Sequence, residues 1–316
     1  MRVAFLGTPE FAVPSLRALI ESTYHVAAVF TQPDRPAGRG QGLHASPVKV
    51  LAREAGIPVH QPERIRDEEN RPVIERLGVD FIVVVAYGQI LPGWFLKAAR
   101  IAPVNVHASL LPQYRGAAPI VWAILNGEAF TGVTTMWMDE HMDTGDMLLS
   151  AAFPISETMT AGELTRELAR IGAGILIPTL NGLRDGTLKP RPQDHSMATS
   201  APRIRKEMAR VSWEKTAREV HNLVRAFNPW PLAFADFRGA RLQILRTLPA
   251  ADTRSEGEVP GTIVGIRGEA LRVQCGGGTV LDLLEVQLAG KKPVSGKAFA
   301  NGARLRAGEL ITEPRS

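Results

Sequence analysis

The segment Val104–Pro119 contains the residues whose types and spacing are best suited to chemistry. It reads VNVHASLLPQYRGAAP and begins as the end of an apolar strand. Side chains alternate across a strand, so Asn105 and His107 point to the same side of the sheet. The strand stops after His107, in a loop that contains Pro112 and Arg115. Open α/β sheets form their sites at the carboxyl ends of strands, so the segment predicts an amide and an imidazole that face one ligand.

A carboxylate is available in a second loop, DEHMDTGD at Asp139–Asp146, which follows the apolar run Gly132–Met138. If that run neighbours the strand that ends at His107, both loops open on the same side and Asp143 lies close to the imidazole. No Ser or Cys stands beside these residues, so the set does not resemble a covalent acyl-enzyme site. It suits direct attack of an amine on an activated carbonyl. Asn105 and protonated His107 donate to the oxyanion, while Asp143 orients the ring and favours the imidazolium.

The acidic loop also offers hard oxygen ligands, but its spacing does not match a known metal site. The calcium-loop pattern D-x-[DN]-x-[DN]-G fails, because His141 occupies an acidic position and Gly145 comes one place late. A zinc site requires more His or Cys residues at defined spacing. We therefore predict that the chain binds no metal.

Alternating strand and helix patterns predict that a parallel α/β sheet positions these residues. Arg2–Gly7, Phe11–Ile20 and His25–Thr31 read as strand, helix and strand, which is a βαβ unit. Asp80–Ala86 is the most hydrophobic run of the chain, so we place it at the centre of the sheet. The stretch GTPEFA that starts at Gly7 departs from G-x-G-x-x-G, which disfavours a dinucleotide-binding dehydrogenase.

Two further loops are predicted at the ligand edge of this sheet. Gln32–Pro47, QPDRPAGRGQGLHASP, is longer than the usual connection in an α/β unit. Its Arg35 and Arg39 make it a candidate arm for a phosphate-bearing ligand. The loop Tyr87–Pro92 follows the central strand, and its Gly88 allows a ligand to approach the backbone closely.

Size and composition indicate a soluble globular protein of roughly two domains. The chain has 316 residues, of which 45% are hydrophobic and 22% charged. A single cysteine, Cys275, cannot form a disulfide within the chain and favours a reducing, cytoplasmic compartment. The sequence contains neither an apolar run long enough to span a bilayer nor a signal-peptide pattern.

The charge is concentrated in the last third of the chain. Residues 1–203 carry 19 Lys and Arg against 20 Asp and Glu, a net charge of −1, whereas residues 204–316 carry 18 against 12, a net charge of +6. A basic module suggests a polyanionic partner. The proline-rich stretch Leu188–Lys206 predicts a domain linker. Beyond the helical pattern Trp213–Ala226, short runs predict a small closed β-barrel: Ala233–Arg238, Arg241–Leu248, Gly261–Ile266, Ala270–Cys275 and Thr279–Gln287.

Short motifs in a fixed order give residues 1–185 a specific resemblance to the formyltransferases that use 10-formyltetrahydrofolate. The matching pieces are N-x-H at 105–107, SLLP at 109–112, YRG at 114–116 and DTG at 143–145. The likeness extends over the whole chain for the branch of the family that acts on initiator tRNA. It adds TQPDRPAGRG at 31–40, SPVK at 46–49, VVAYG at 84–88, RAFNPWP at 225–231 and AGKK at 289–292.

The resemblance implies an α/β fold with a doubly wound, Rossmann-like and mostly parallel sheet, followed by a smaller C-terminal OB-like β-barrel. It implies a formyltransferase catalytic domain at residues 1–189, a linker at 190–206 and a tRNA-binding domain at 207–316. We further expect a cytoplasmic monomer.

The resemblance also implies a reaction and a set of site residues. The formyl group of 10-formyltetrahydrofolate passes to the amino group of methionine on initiator tRNA, for translation initiation. Asn105, His107 and Asp143 take the catalytic roles. The folate pocket is lined by Ser109, Leu110, Leu111, Pro112, Tyr87, Gly88, Gln89 and Ile90. The expected tRNA contacts are Arg35, Arg39 and Lys206.

Other functions stay open on the sequence alone. Within the same reaction class, the acceptor could be the amine of a sugar nucleotide, an amine of purine synthesis, or water. From a different class, the chain could be a folate-binding or RNA-binding module without catalysis, although a binder needs no amide, imidazole and carboxylate set. The long basic loop and the basic second domain favour tRNA, because a small acceptor requires neither.

Overall fold

The computed structural model describes residues 1–37, 42–251 and 258–312, which divide into two compact units. Unit 1 consists of Met1–Pro119, Phe130–Pro154 and Thr165–Pro202. Unit 2 consists of Ile120–Ala129, Ile155–Leu164 and the described part of Arg203–Ser316. Unit 2 therefore contains the C-terminal third of the chain together with two short segments from earlier in the sequence.

Unit 1 contains a seven-stranded sheet and a separate two-stranded hairpin. Its strands are β1 (Arg2–Gly7), β2 (His25–Phe30), β3 (Arg35–Ala37), β4 (Gly42–His44), β5 (Val59–His60), β6 (Phe81–Val85), β7 (Ala102–His107), β8 (Phe130–Trp137) and β9 (Met147–Pro154). The sheet order is β5-β2-β1-β6-β7-β8-β9. The first five strands in that order are parallel, whereas β8 and β9 are antiparallel additions.

The helices of the chain connect these strands and those of unit 2. They are α1 (Val13–Ile20), α2 (Pro47–Glu54), α3 (Arg71–Leu77), α4 (Gly93–Leu96), α5 (Pro119–Leu125), α6 (Ala161–Arg184), α7 (Ala217–Ala226) and α8 (Gly296–Ala303). Short 3-10 turns occupy Glu10–Ala12, Glu68–Asn70, His195–Met197, Lys206–Ala209 and Gly276–Gly278. Within the described parts of the chain, no helix combines the length and apolar character that a membrane span requires.

The core of unit 1 forms around β6, as its hydrophobic sequence predicted. All five residues of β6 are buried, and it is the middle strand of the sheet. All six residues of β7 are buried as well. Strands covered on both faces are nearly continuous in apolar residues, so the two polar side chains of β7, Asn105 and His107, stand out.

The long loop 32–47, which we predicted as a candidate arm for a phosphate-bearing ligand, contains two short strands. β3 and β4 pair as an antiparallel hairpin, with Arg35 opposite His44 and Pro36 opposite Leu43. At its base, α2 begins at Pro47, and Ser46 caps it by accepting a hydrogen bond from the backbone N–H of Lys49. Residues 38–41, and with them the predicted arm residue Arg39, lie outside the described residues.

Unit 2 is built on an antiparallel sheet with the order β10-β11-β14-β13-β12. Its strands are β10 (Ala233–Phe237), β11 (Ala240–Pro249), β12 (Ile263–Arg267), β13 (Ala270–Gln274), β14 (Val280–Leu288) and β15 (Val294–Ser295), the last paired with β14. The five short runs predicted from the sequence are confirmed as strands. The helix α7 begins with a capping box, in which Thr216 and Glu219 each bond the backbone of the other.

Candidate active site

Asn105 and His107 occupy the carboxyl half of β7, and both are almost completely buried. Asn105 is 9% exposed and His107 is 6% exposed. Two positions along a strand return a side chain to the same face, so the amide and the imidazole share one side of the sheet. The side chain of Asn105 forms no hydrogen bond with any residue that the structure describes. An amide that makes no hydrogen bond with these residues keeps its donors and its acceptor available for a ligand.

The orientation of the His107 ring is fixed by a backbone carbonyl. Its Nε2 lies 3.0 Å from the carbonyl oxygen of Tyr114. A carbonyl oxygen only accepts hydrogen bonds, so Nε2 carries a proton and Nδ1 is the nitrogen left for chemistry. Nδ1 lies 3.6 Å from Oδ1 of Asp143. The carboxylate is therefore close enough to stabilise an imidazolium, yet beyond ordinary hydrogen-bond distance.

Asp143 is held in an unusual backbone conformation by its second carboxylate oxygen. Its φ is 54°, in the left-handed region, and Oδ2 accepts a 2.8 Å hydrogen bond from the backbone N–H of Gly116. A non-glycine residue in this region costs free energy, so surrounding contacts must hold it there. The bond to Gly116 joins the loop of Asp143 to the loop that follows β7.

The structure brings Asp143 to His107 by a different route from the one predicted. β8 does neighbour β7, which confirms the predicted pairing, but the two strands are antiparallel. β8 therefore ends beside the start of β7, where the N–H of Met138 donates to the carbonyl of Pro103. The expectation that both loops open on the same side is wrong. The loop after β8 runs back along β7 and reaches His107 from the other end of the strand.

The returning loop lies tightly against β8. A Cβ atom at Gly145 would lie 1.8 Å from the carbonyl oxygen of Trp137, so only glycine fits there. Asp139 closes the front of the loop, because its carboxylate accepts hydrogen bonds from the Thr144 hydroxyl at 2.8 Å and from the His141 N–H at 2.9 Å. In the described residues, no group of three or more His, Cys, Asp and Glu side chains is arranged to hold a metal ion.

Gln193, which the sequence analysis missed, connects both loops of the site. It is 5% exposed, and its Nε2 donates to the carbonyl oxygens of Asp143 at 2.9 Å and Gly145 at 2.7 Å. Its Oε1 accepts from the guanidinium of Arg115 at 2.7 and 3.1 Å. Gln193 belongs to a segment, residues 191–201, that lies within the predicted linker and that the structure includes in unit 1.

The 191–201 segment also supports the loop that fixes His107. The Tyr114 N–H donates to the Thr199 hydroxyl at 2.8 Å. Backbone hydrogen bonds join Arg115 to Thr199 and Ala201. The carbonyl that anchors His107 therefore belongs to a residue held from both sides. No spacing pattern in the proline-rich sequence indicates these contacts.

The predicted folate segment Ser109–Pro112 forms a tight turn anchored on β8. Ser109 is completely buried and its hydroxyl donates to the carbonyl of Gln113 at 2.6 Å. The Thr134 hydroxyl donates to the Ser109 carbonyl and accepts from the Leu111 N–H. Leu110 lies over Gly132, where a Cβ atom would come within 2.6 Å of it. The Leu111–Pro112 peptide is cis.

The second predicted folate segment, Tyr87–Ile90, follows β6 and is more open. Tyr87 is 2% exposed, its hydroxyl has no hydrogen-bond partner among the described residues, and burial raises the pKa of this phenol well above its ordinary value. Gly88 is exposed with a φ of 88°, and Ile90 is 71% exposed. Gln89 instead holds a neighbouring loop, since its Oε1 accepts from the Ile65 N–H at 2.8 Å.

The predicted tRNA-contacting residues Arg35 and Lys206 belong to different units. Arg35 is exposed on β3 of unit 1. Lys206 is exposed at the start of a 3-10 turn in unit 2. Arg39 is among the residues that the structure does not describe.

Comparisons with known proteins identify similarity to formyl transferases along nearly the whole chain. Residues 1–180 match the family model "Formyl transferase", and residues 203–304 match "Formyl transferase, C-terminal domain". A methionyl-tRNA formyltransferase of Solibacter usitatus is 47% identical over 313 residues, which cover 99% of each chain. One from Acetivibrio thermocellus is 46% identical over 311 residues, 98% of this chain and 99% of the relative.

Among solved structures, the fold is shared with WlaRD, a sugar 3N-formyl transferase crystallised in the presence of dTDP and 5-N-formyl-THF. The TM-score is 0.67 at 20% identity, and the match covers 92% of this chain and 99% of that one. At this identity the likeness establishes the fold of the chain, while the acceptor must be inferred from other observations.

Proposed function

We propose that this chain, which belongs to the formyl transferase family, acts as a methionyl-tRNA formyltransferase. It transfers the formyl group of 10-formyltetrahydrofolate to the free amino group of methionyl-initiator tRNA, for translation initiation. The observation that carries the proposal is the group of Asn105, His107 and Asp143. The Asn105 amide has no partner among the described residues, and Nδ1 of the buried ring faces the half-buried carboxylate.

The reaction forms a bond between the amino nitrogen and the formyl carbon and breaks the bond between that carbon and the donor nitrogen of the folate. The amine loses a proton and the departing folate nitrogen gains one. Between these events the formyl oxygen carries negative charge. The residues must therefore stabilise an oxyanion and handle one proton.

Asn105 supplies an N–H for the oxyanion. The Asn105 residue is 9% exposed, and its amide makes no hydrogen bond within the described residues, so its N–H groups are available for the formyl oxygen. This unpartnered amide is also the feature that fits the formyl oxygen of the folate co-substrate.

His107 acts through Nδ1. Because Nε2 is bound to the Tyr114 carbonyl, the ring cannot turn to offer that nitrogen to substrate. In the imidazolium form, Nδ1–H donates to the oxyanion, and in the neutral form the Nδ1 lone pair accepts a proton. The carboxylate of Asp143 faces this nitrogen at 3.6 Å.

The folate would lie between the two loops that follow β6 and β7. We assign to it the segments Tyr87–Ile90 and Ser109–Pro112. The exposed Ile90 and the open backbone at Gly88 support a contact with a flat apolar ring system. The buried turn Ser109–Pro112 contributes shape rather than a free hydroxyl, since the Ser109 hydroxyl already donates to Gln113.

The tRNA contacts are proposed from charge. The surplus of +6 in residues 204–316 supports a basic surface that follows tRNA phosphates, with Lys206 as one contact. Arg35, exposed on its hairpin, and Arg39 are proposed to reach the acceptor end. A sugar-nucleotide acceptor would leave both features without a role.

The finer fold assignment is part of the same proposal. We assign unit 1 to the doubly wound, Rossmann-like class and unit 2 to the OB-like barrels. The C-terminal residues support the barrel, since Ile311 bonds Gly261 and Thr312 bonds Asp236, so that the chain end bridges the two edges of the sheet. Domains at 1–189 and 207–316 with a linker at 190–206, a monomeric state and a cytoplasmic location stay predictions.

A direct assay tests the function. Purified protein is incubated with 10-formyltetrahydrofolate and either methionyl-initiator tRNA or an amino-sugar nucleotide, and formylated product is quantified. We expect turnover with the tRNA and none above background with the sugar. The opposite preference would reject tRNA as the acceptor, and no turnover with either would reject the formyl transfer itself.

A further inference from the structure

We propose that Gln193 is a positioning residue for the reaction, which holds Asp143 against His107, and that Arg115 fixes the orientation of its amide. The inference rests on the proposed function, because it assigns a role in that same chemistry. It concerns two residues that do not reach the reacting atoms themselves.

The orientation of the Gln193 amide follows from chemistry alone. The guanidinium of Arg115 only donates, so the atom it contacts must be the amide oxygen. The carbonyls of Asp143 and Gly145 only accept, so the atom between them must be the amide nitrogen. All three contacts agree on one orientation, and a rotated amide would place donor against donor and acceptor against acceptor.

The two amide hydrogens of Gln193 hold the backbone where Asp143 is strained. Asp143 has a positive φ, and the carbonyls on which Gln193 acts are its own and that of Gly145. Among the described residues, the carboxylate accepts a hydrogen bond from the Gly116 N–H on one oxygen, while the other oxygen faces Nδ1 of His107. The backbone contact therefore determines where the charged oxygen lies.

Arg115 connects this arrangement to the other loop of the site. It is the residue between Tyr114, whose carbonyl anchors His107, and Gly116, whose N–H binds Asp143. Its guanidinium also lies 3.0 Å from Nδ1 of His195, which must accept because the guanidinium donates. Gln193 and Arg115 thus fix the distance between the imidazole and the carboxylate from both sides.

A double-mutant cycle on the full-length protein tests the role. Gln193→Glu keeps the size and the acceptor that faces Arg115, but it removes both donors to the Asp143 loop. A displacement of about 1 Å in a catalytic group can cost on the order of 100-fold in rate, so we expect kcat to fall by about 10- to 100-fold with little change in KM. In an Asp143→Asn background, the same substitution should lower kcat by less than about 3-fold, because the residue it positions is already altered.

Matched variants separate positioning from general damage. Ser196→Ala lies in the same segment and removes only the local hydrogen bond of Ser196 with Asp194, so kcat should stay within about 2-fold of wild type. Gln193→Met provides a second test if Gln193→Glu does not fold, as judged by circular dichroism, and the same loss of kcat is expected.

The outcomes are distinct. Equal fold losses in the two backgrounds, or an unchanged kcat in the folded Gln193 variants, would overturn the positioning role. Absence of methionyl-tRNA formylation by the wild-type protein would instead overturn the proposed function, and the Gln193 variants would not be needed to see it.

Discussion

Two buried histidines, one in each unit, bind a backbone carbonyl through Nε2 but face different groups at Nδ1. His107 and His221 are 6% and 2% exposed, and in each the Nε2 donates to a backbone carbonyl, at 3.0 and 2.7 Å. They differ at Nδ1. In His107 this nitrogen faces the Asp143 carboxylate at 3.6 Å, whereas in His221 it accepts a 2.9 Å hydrogen bond from the Thr247 hydroxyl.

The difference separates the histidine proposed to react from a structural one. Burial lowers the pKa of His221, and the positive charges of Arg225 and Arg218 lower it further, so its ring is held neutral with both nitrogens engaged. Nδ1 of His107 faces a carboxylate, and the Asn105 amide on the same strand face has no partner in the described part of the chain. Burial alone therefore says little about the role of a histidine. The group at the second nitrogen decides it.

The largest expected effect distinguishes the two rings directly. His107→Ala should lower kcat for methionyl-tRNA formylation by at least about 100-fold, since loss of the proposed oxyanion donor costs roughly 3–4 kcal/mol, while the protein still folds. His221→Ala should show the reverse pattern, with a small change in kcat and a clear loss of stability. Steady-state kinetics and thermal unfolding of both variants provide the check, and near-normal kcat in His107→Ala would remove His107 from the mechanism.

The two buried asparagines extend the comparison. Asn105→Ala should also reduce kcat by about 100-fold or more, because the proposed mechanism uses its amide as a donor to the developing oxyanion. Asn222, which is 5% exposed, already accepts two hydrogen bonds from Arg225. Asn222→Ala should thus act on stability through the buried guanidinium and not on the chemical step. Single-turnover rates with saturating tRNA measure the contrast, and equal rate losses in both variants would contradict it.

A smaller effect concerns the anchoring of His221. His221→Ala leaves the Glu157 carbonyl and the Thr247 hydroxyl without their partner, so the free energy of unfolding should fall by about 2–4 kcal/mol. Thr247→Val removes only the hydroxyl and should cost about 1 kcal/mol. Urea denaturation gives both values. A larger loss in Thr247→Val than in His221→Ala would show that the ring is not the centre of this network.

The smallest effect is a pH dependence with a defined sign. The folded state depresses the pKa of His221 below its ordinary value near 6.5, so the neutral ring contributes stability that is complete above about pH 6.5 and is lost as the pH falls towards the folded pKa. Wild type should therefore lose its stability advantage over His221→Gln as the pH falls from 7 to 5. A constant difference across this range would mean that His221 does not titrate between the two states.

The sequence predicted those parts of the site that depend on local periodicity. Alternation along a strand is sufficient to place Asn105 and His107 on one face, and the short apolar runs of unit 2 became strands close to their predicted limits. The central position of β6 followed from the composition of its five residues.

The features that the sequence did not predict correctly depend on contacts between residues that are distant along the chain. An apolar run does not reveal its direction, so the antiparallel course of β8, and the return of the Asp143 loop, could not be derived. Gln193 is a single polar residue between a proline and an aspartate, in a stretch that resembles a linker. Its role arises only when three loops meet around one amide. His221 is a polar residue among the buried positions of α7. The helical pattern of the sequence did not indicate that its ring would be buried and hydrogen-bonded.

The 191–201 segment has a consequence for how this protein can be divided. A fragment that ends at residue 189 would retain Asn105, His107 and Asp143, yet it would lose Gln193 and the hydroxyl of Thr199 that binds the Tyr114 backbone. Chimeras that exchange C-terminal modules between formyl transferases should be spliced after Ala201.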